Sequence, residues 1–204
     1  MQAPGQIVIL NGAPRAGKTS IARAIQNQFD GVWINLGVDA CNAMLPSSLL
    51  PGIGLRPGGE RPDLEPLLPS LFAALYGAIN AHARLGLNVV VDVGHHDGYS
   101  RPLGILPACA RQLSGLPVLF VGVYCGLETI MARRNAEPNG GLYLGGETAP
   151  APVKRWQTAV HRPGIYDLCV HADQMDPAQC AKTIAEKLDG GIARPSAFER
   201  LAAG

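Results

Sequence analysis

Gly12-Ala13-Pro14-Arg15-Ala16-Gly17-Lys18-Thr19 satisfies the phosphate-binding pattern G-x-x-x-x-G-K-[ST] at every required position. Its flanks suit it. Gln6-Ile7-Val8-Ile9-Leu10-Asn11 is a short apolar run that reads as a buried strand, and Ser20-Ile21-Ala22-Arg23-Ala24-Ile25-Gln26 carries apolar residues at helical spacing. Strand, glycine loop and helix together are the context in which the pattern has a mechanism. The stretch from Gly12 to Ser20 is assigned to a nucleotide, its backbone N–H groups surrounding the phosphates. Lys18 brings positive charge to the outer phosphates, the Thr19 hydroxyl can ligate Mg²⁺, and the helix N-terminus adds favourable partial charge. Arg15 is expected to face solvent.

Outward from the loop, strand-like runs alternate with helical patterns, which argues for a parallel sheet with helices on both faces. Val32–Leu36, Val89–Val93, Val118–Val123 and Leu168–Val170 read as the remaining strands. The third, Val89-Val90-Val91-Asp92-Val93, is continuous and β-branched, as a strand buried on both sides should be. Helices are expected at Lys18–Asn27, Leu67–Arg84 with Gly86 as its stop, Leu103–Leu113, Gly126–Asn135, Val153–Ala159 and Pro177–Leu188. Two segments break the rhythm. Leu45–Pro66 is rich in Pro and Gly and follows the second strand, at the end of the sheet where open α/β folds bind ligands. It reads as an acceptor-side insertion, or as a passive surface loop. Glu137–Pro152 is glycine-rich and reads as part of a mobile lid over about 134–152, again with a passive loop as the alternative. Residues 1–189 are expected to form a single domain and 190–204 a peripheral tail.

The bulk properties restrict the possibilities. The chain has 204 residues, enough for one well-buried α/β domain and short for two. Hydrophobic residues make up 47% and aromatics 5%, so the core is aliphatic. A net charge of +1 gives no electrostatic reason to expect nucleic acid or an anionic membrane as partner. No apolar stretch is long enough to span a bilayer, and Met1-Gln2-Ala3-Pro4-Gly5 is too short and uncharged for a signal peptide, so a cytoplasmic protein is expected. The five cysteines include no C-x-x-C pair, which speaks against a zinc site or a disulfide framework. Cys125 and Cys169 read as buried free thiols. Cys41 lies near the proposed site but has no base paired with it.

Asp39, in Leu36-Gly37-Val38-Asp39-Ala40, follows the second strand and would face the outer phosphate across a small gap. Phosphoryl transfer to an alcohol needs a group that orients the hydroxyl and accepts its proton. Asp39 suits that role and also that of N-cap for a helix starting near Ala40. Asp92 ends the third strand, where a carboxylate can hold Mg²⁺ through water or touch the acceptor substrate. His95 and His96 point in different directions on an extended chain and cannot chelate together. They are candidates for substrate contact or solvated loop residues. Arg133 and Arg134, ahead of the lid, can neutralise charge on the transferred group, or can simply complement a helix C-terminus. Lys154, Arg155 and His161 are weaker candidates.

The combination of Ile7-Val8-Ile9-Leu10-Asn11-Gly12, Ala16-Gly17-Lys18-Thr19 and Gly37-Val38-Asp39 resembles the chloramphenicol phosphotransferase-like family of P-loop kinases. Val89-Val90-Val91-Asp92, Val121-Gly122-Val123-Tyr124-Cys125 and Val160-His161 to Tyr166-Asp167 follow in the same order, so the resemblance runs from about Gly5 to Asp173. It implies a P-loop NTPase fold of NMP-kinase type, a three-layer α/β sandwich with a five-stranded parallel sheet and a lid. It also implies ATP-dependent transfer of the γ-phosphoryl group to a hydroxyl of a small molecule, in the founding case chloramphenicol. Asp39 then matches the family's base, Lys18 its phosphate-loop lysine, and Arg133 its arginine after the fourth strand. Two features depart from the founding pattern. Its later Arg-Gly-Asp-Arg run is replaced by Ala136-Glu137-Pro138-Asn139-Gly140-Gly141, and the Leu45–Pro66 segment is longer, which points to a different acceptor. A sugar nucleotide, a sugar acid, or a slow nucleotide-dependent switch acting on a protein partner are the rival readings.

Overall fold

The computed structural model describes residues 3–136 and 148–204. Five strands form one parallel sheet: β1 (Ile7–Asn11), β2 (Trp33–Asn35), β3 (Asn88–Val93), β4 (Val118–Tyr124) and β5 (Leu168–His171), in the order β2-β3-β1-β4-β5. The phosphate loop leaves β1, the central strand, whose five residues are all buried. In register, Leu10 lies beside Asp92 and Asn11 beside Val93, so the C-terminal ends of β1 and β3 deliver their polar residues to the same edge.

Because side chains alternate across a strand, β1 feeds two cores. Ile7 and Ile9 join Val89, Val91, Val118 and Phe120 on one face. That face is covered by α3 (Leu68–Arg84), α4 (Ile105–Gln112) and α8 (Ala197–Ala203). Val8 and Leu10 join Val90, Leu119 and Val121 on the other, beneath α1 (Lys18–Gln28), α6 (Ala151–Ala159) and α7 (Pro177–Asp189). The remaining helices are α2 (Val38–Ala43), directly after β2, and α5 (Leu127–Ala136), after β4. Leu85 ends α3 and Gly86 follows at φ 81°, a left-handed turn that glycine adopts without steric cost.

Two expectations, on residues 190–204 and on Cys169, need correcting, and one alternative, on Leu45–Pro66, falls away. Residues 190–204, expected as a peripheral tail, carry a packed helix. Ser196 and Glu199 form a reciprocal capping box that starts α8, and Ala197, Phe198 and Leu201 are buried against the sheet. Asp167 ties this helix to β4, accepting from Ala197 N at 2.7 Å and Phe120 N at 2.9 Å. Leu45–Pro66 is not the passive surface loop that stood as the alternative. It makes short 3₁₀ turns at Ser47–Leu49, Gly52–Gly54 and Glu65–Leu67, and it sends Ile53, Leu55 and Leu64 into the core. Cys169 is exposed, because β5 is an edge strand. All five cysteines are free thiols. Most of the expected lid, residues 137–147, lies outside the described residues. Among the described residues no helix is long and apolar enough to cross a membrane.

Candidate active site

A cavity of about 800 Å³ opens at the C-terminal edge of the sheet. One wall is the loop between β1 and α1. Gly17 there adopts φ 101° and Arg15 φ 64°, left-handed conformations that let successive N–H groups turn inward. A side chain at Gly17 would come within 3.2 Å of the Arg133 guanidinium.

Lys18 sits at the floor. Its ammonium donates to Gly12 O at 2.9 Å and to Ala13 O at 2.8 Å. Burial lowers its pKa to about 8, opposed by the nearby negative charges of Asp92 and Asp39. Thr19 Oγ1 donates to Asp92 Oδ2 at 2.7 Å, joining the end of the loop to the end of β3. Asp92 is buried, and Gly37 is what gives it room: a Cβ on Gly37 would lie 1.6 Å from Asp92 Oδ1.

Asp39 is exposed and lines the same cavity as Lys18, Thr19 and Asp92. The N-cap alternative is not what the fold uses. Gly37 holds the N-cap position of α2, without a side-chain cap, and Asp39 lies inside the first turn. Its carboxylate is left to the cavity. Asn42 follows one turn later on the same helix face and also lines the cavity, with Oδ1 buried and without a partner.

Of the arginines, Arg15 departs from expectation. Arg15 does not simply face solvent; it is half-buried and donates to Arg133 O at 3.3 Å. Arg133 lines the cavity, but its guanidinium is committed to backbone, donating to Arg15 O at 3.0 Å and Ala172 O at 2.7 Å. The pair braces the phosphate loop against the ends of α5 and β5. Arg134 also lines the cavity.

Neither adjacent histidine lines it, and neither is a solvated loop residue. His95 is buried beside Phe72, its Nε2 2.7 Å from the Tyr76 hydroxyl, and burial lowers its pKa to about 3. His96 is buried as well. Its Nε2 donates to Leu55 O at 2.8 Å and its Nδ1 accepts from Gly98 N at 3.2 Å, so it fastens the 45–66 segment to the end of β3. A polar residue at a strand's C-terminal end can serve the site or serve the loops that frame it; these two serve the frame. His161 likewise sits beside the site, 2.9 Å from the Tyr166 hydroxyl and stacked on Tyr124, with burial and the Lys18 charge lowering its pKa to about 4. Burial raises the Cys41 thiol, which speaks against a nucleophile there.

Sequence reasoning missed several lining residues. Trp156 comes from α6, and Met175 and Pro177 from the turn into α7, whereas Pro51, Ile53, Gly54 and Arg56 belong to the 45–66 segment that the sequence already placed beside the acceptor. Only Asn42 carried a local signal, its spacing of three from Asp39. A hydroxyl, two carboxylates and a lysine share one cavity at the glycine loop, an arrangement suited to phosphoryl transfer.

The comparisons agree. Residues 5–189 match the family described as chloramphenicol phosphotransferase-like protein. A Mycobacterium tuberculosis (strain H37Rv) protein, named as a proposed O-phosphotransferase, is 28% identical over 97% of this chain and 88% of its own length. Among solved structures, the Mycobacterium tuberculosis APS kinase in complex with AMPPNP and APS superimposes with a TM-score of 0.60 at 18% identity, covering 92% of this chain and 99% of that one. The Deinococcus radiodurans tunicamycin resistance protein gives 0.61 at 18% identity, over 94% and 99%. The loop, the strand order and the matched residues therefore lead to one assignment: this chain belongs to the chloramphenicol phosphotransferase-like family, phosphotransferases built on the P-loop kinase fold.

Proposed function

We propose that this protein transfers the γ-phosphoryl group of ATP to a hydroxyl of a small molecule. The observation that carries the reading is that Asp39, an exposed carboxylate with no capping duty, shares one cavity with Lys18 and the Thr19–Asp92 pair. The loop Gly12–Ser20 would hold the phosphates, with Lys18 leaving its two carbonyl partners to meet them. Arg133 would hold the loop in shape, and Arg134, which also lines the cavity, would meet the phosphates. Asp39 would orient the acceptor hydroxyl and take its proton as the new P–O bond forms.

The oxygens of Thr19 and Asp92 fit Mg²⁺, a hard cation that binds through few protein groups and keeps phosphate and water as its other ligands. No cluster of three or more His, Cys, Asp or Glu side chains among the described residues could hold a metal by itself, in keeping with that mode. The ion would neutralise phosphate charge. The acceptor wall is built from the 45–66 segment, α2 and α6, and an antibiotic-like alcohol, a sugar acid and a sugar nucleotide are the acceptor classes to compare. A screen that follows ADP release over such a panel, with products identified by mass, tests the reading. A phosphorylated product is expected. ATP turnover that no acceptor stimulates would instead favour the nucleotide-dependent switch.

A further inference from the structure

The cavity is far more cationic than the chain. Six Lys or Arg side chains and two Asp line it, whereas the whole protein carries a net charge of +1. Hydrogen bonds to backbone, such as those of Arg133, occupy donors and leave the charge in place. A cleft lined by one sign of charge draws in ligands of the other. Mg·ATP as a whole is a dianion, so it answers only part of this field. Arg15, Lys18, Arg133 and Arg134 belong to the phosphate loop or to the end of α5 beside it. The other two cations stand on the acceptor side. Arg23 is exposed and lies one turn beyond Thr19 on α1. That face of α1 looks toward β2, since Gln26 donates to Trp33 O at 3.0 Å, and β2 leads into the helix that carries Asp39.

Arg56 is held more firmly, on the acceptor wall itself. The turn Gly52–Gly54 just before it packs on α2. The backbone on either side of Arg56 is tied down. Leu55 is buried in the core and its carbonyl accepts from His96. The Pro57 carbonyl accepts from Arg155 at 3.5 Å, and Gly58 N donates to Gly98 O at 2.8 Å. The Arg56 side chain is 16% exposed and pairs at 3.0 Å with Glu60, whose side chain is 31% exposed. Arg56 lines the cavity and Glu60 does not. The carboxylate therefore steadies the guanidinium from the outer side and leaves the arginine on the cavity wall. A guanidinium on a fixed backbone suits the planar, bidentate capture of a carboxylate or phosphate.

We propose that the acceptor is an anion: Arg56 binds a carboxylate or phosphate on the same molecule whose hydroxyl Asp39 receives, and Arg23 adds to the attraction. This rests on the kinase reading and narrows it, favouring sugar acids and phosphorylated sugars over a neutral alcohol.

The test separates the two claims. Protein saturated with Mg·AMPPNP, so that the phosphate loop is filled, is titrated by calorimetry with gluconate, glucuronate, glucose 6-phosphate and UDP-N-acetylglucosamine. The neutral counterparts sorbitol, glucose and N-acetylglucosamine follow. At least one anion is expected to bind about tenfold or more tightly than its neutral counterpart, and which one does so separates carboxylate from phosphate. R56Q is expected to weaken that anion about 10- to 100-fold, the range for losing a charge-assisted contact, with the neutral counterpart and AMPPNP unchanged. E60Q breaks the ion pair but keeps the arginine, and is expected to hold the affinity for the anion within about threefold of wild type. Neutral compounds that bind as well as the anions overturn the proposal, as does a panel in which no anion binds. So does an R56Q protein that keeps wild-type affinity, or an E60Q protein that fails as R56Q does, since the pair is then only structural. ADP release tests the kinase reading apart from this. An anion that binds through Arg56 and is never phosphorylated supports the anion site and overturns the kinase reading. A neutral compound phosphorylated by wild type and R56Q with the same KM supports the kinase reading and overturns the anionic acceptor.

Discussion

At the residue scale, Asp39 and Lys18 do different work and should fail differently. Asp39 is exposed at the cavity and holds no cap, so D39N keeps the fold and the phosphate cradle. Nucleotide affinity by calorimetry should stay near wild type while turnover falls at least ~10²-fold, the range for losing a general base. Turnover at the wild-type rate would remove Asp39 from that role. Lys18 is half-buried, its ammonium bonded to two loop carbonyls and near the charges of two carboxylates. K18A should weaken nucleotide binding and turnover together, and an unchanged ATP titration would show that the cradle lies elsewhere.

At the scale of elements, the short helix α2 works because it begins at glycine. A methyl group at position 37 would overlap Asp92 Oδ1, and Asp92, buried and bonded to Thr19, has little room to yield. G37A should therefore break the Thr19–Asp92 contact. We expect the Mg²⁺ concentration for half-maximal turnover to rise about 10- to 100-fold, the usual penalty for disturbing a ligand's support. A Mg²⁺ titration matching wild type would mean that Asp92 is held by other contacts. The terminal helix α8 acts at the same scale. Phe198 stacks near Tyr76 at 6.4 Å and meets Phe120 edge to face at 5.1 Å. F198A should cost about 3–5 kcal/mol in chemical denaturation, as large-to-small changes in a core do. A cost near zero would return residues 190–204 to the status of a loose tail.

For the whole molecule, the buried His95 couples stability to acid. Its folded pKa is about 3, below the ordinary 6.5, because burial disfavours the imidazolium. The unfolded chain takes up this proton below 6.5 and the native protein does not. The contribution is thus fully present above pH 6.5 and is lost progressively as pH falls toward 3. Tm should decline across that window. H95L should start lower at neutral pH, since it orphans the Tyr76 hydroxyl, and should decline less steeply. Parallel Tm–pH curves for the two proteins would show that other groups govern acid sensitivity.

The sequence by itself determined the phosphate loop, the five strands to within one or two residues at most ends, and the parallel alternation of strands and helices. These are local properties: a glycine pattern, apolar runs and their periods, all readable along the chain. It also picked out Asp39 and Asp92 as the carboxylates at strand ends. Even α8 had a local signature, the Ser196-x-x-Glu199 capping box, that a reading of composition alone passes over. Only the tertiary structure decided which polar residues reach the cavity. His95 and His96 sit beside Asp92 in sequence, yet their rings turn into the core and toward Leu55. Trp156, sixty-four residues beyond Asp92 in the numbering, comes to the wall beside Gly94. Strand register and helix packing set those directions, and both depend on contacts between segments far apart in the chain.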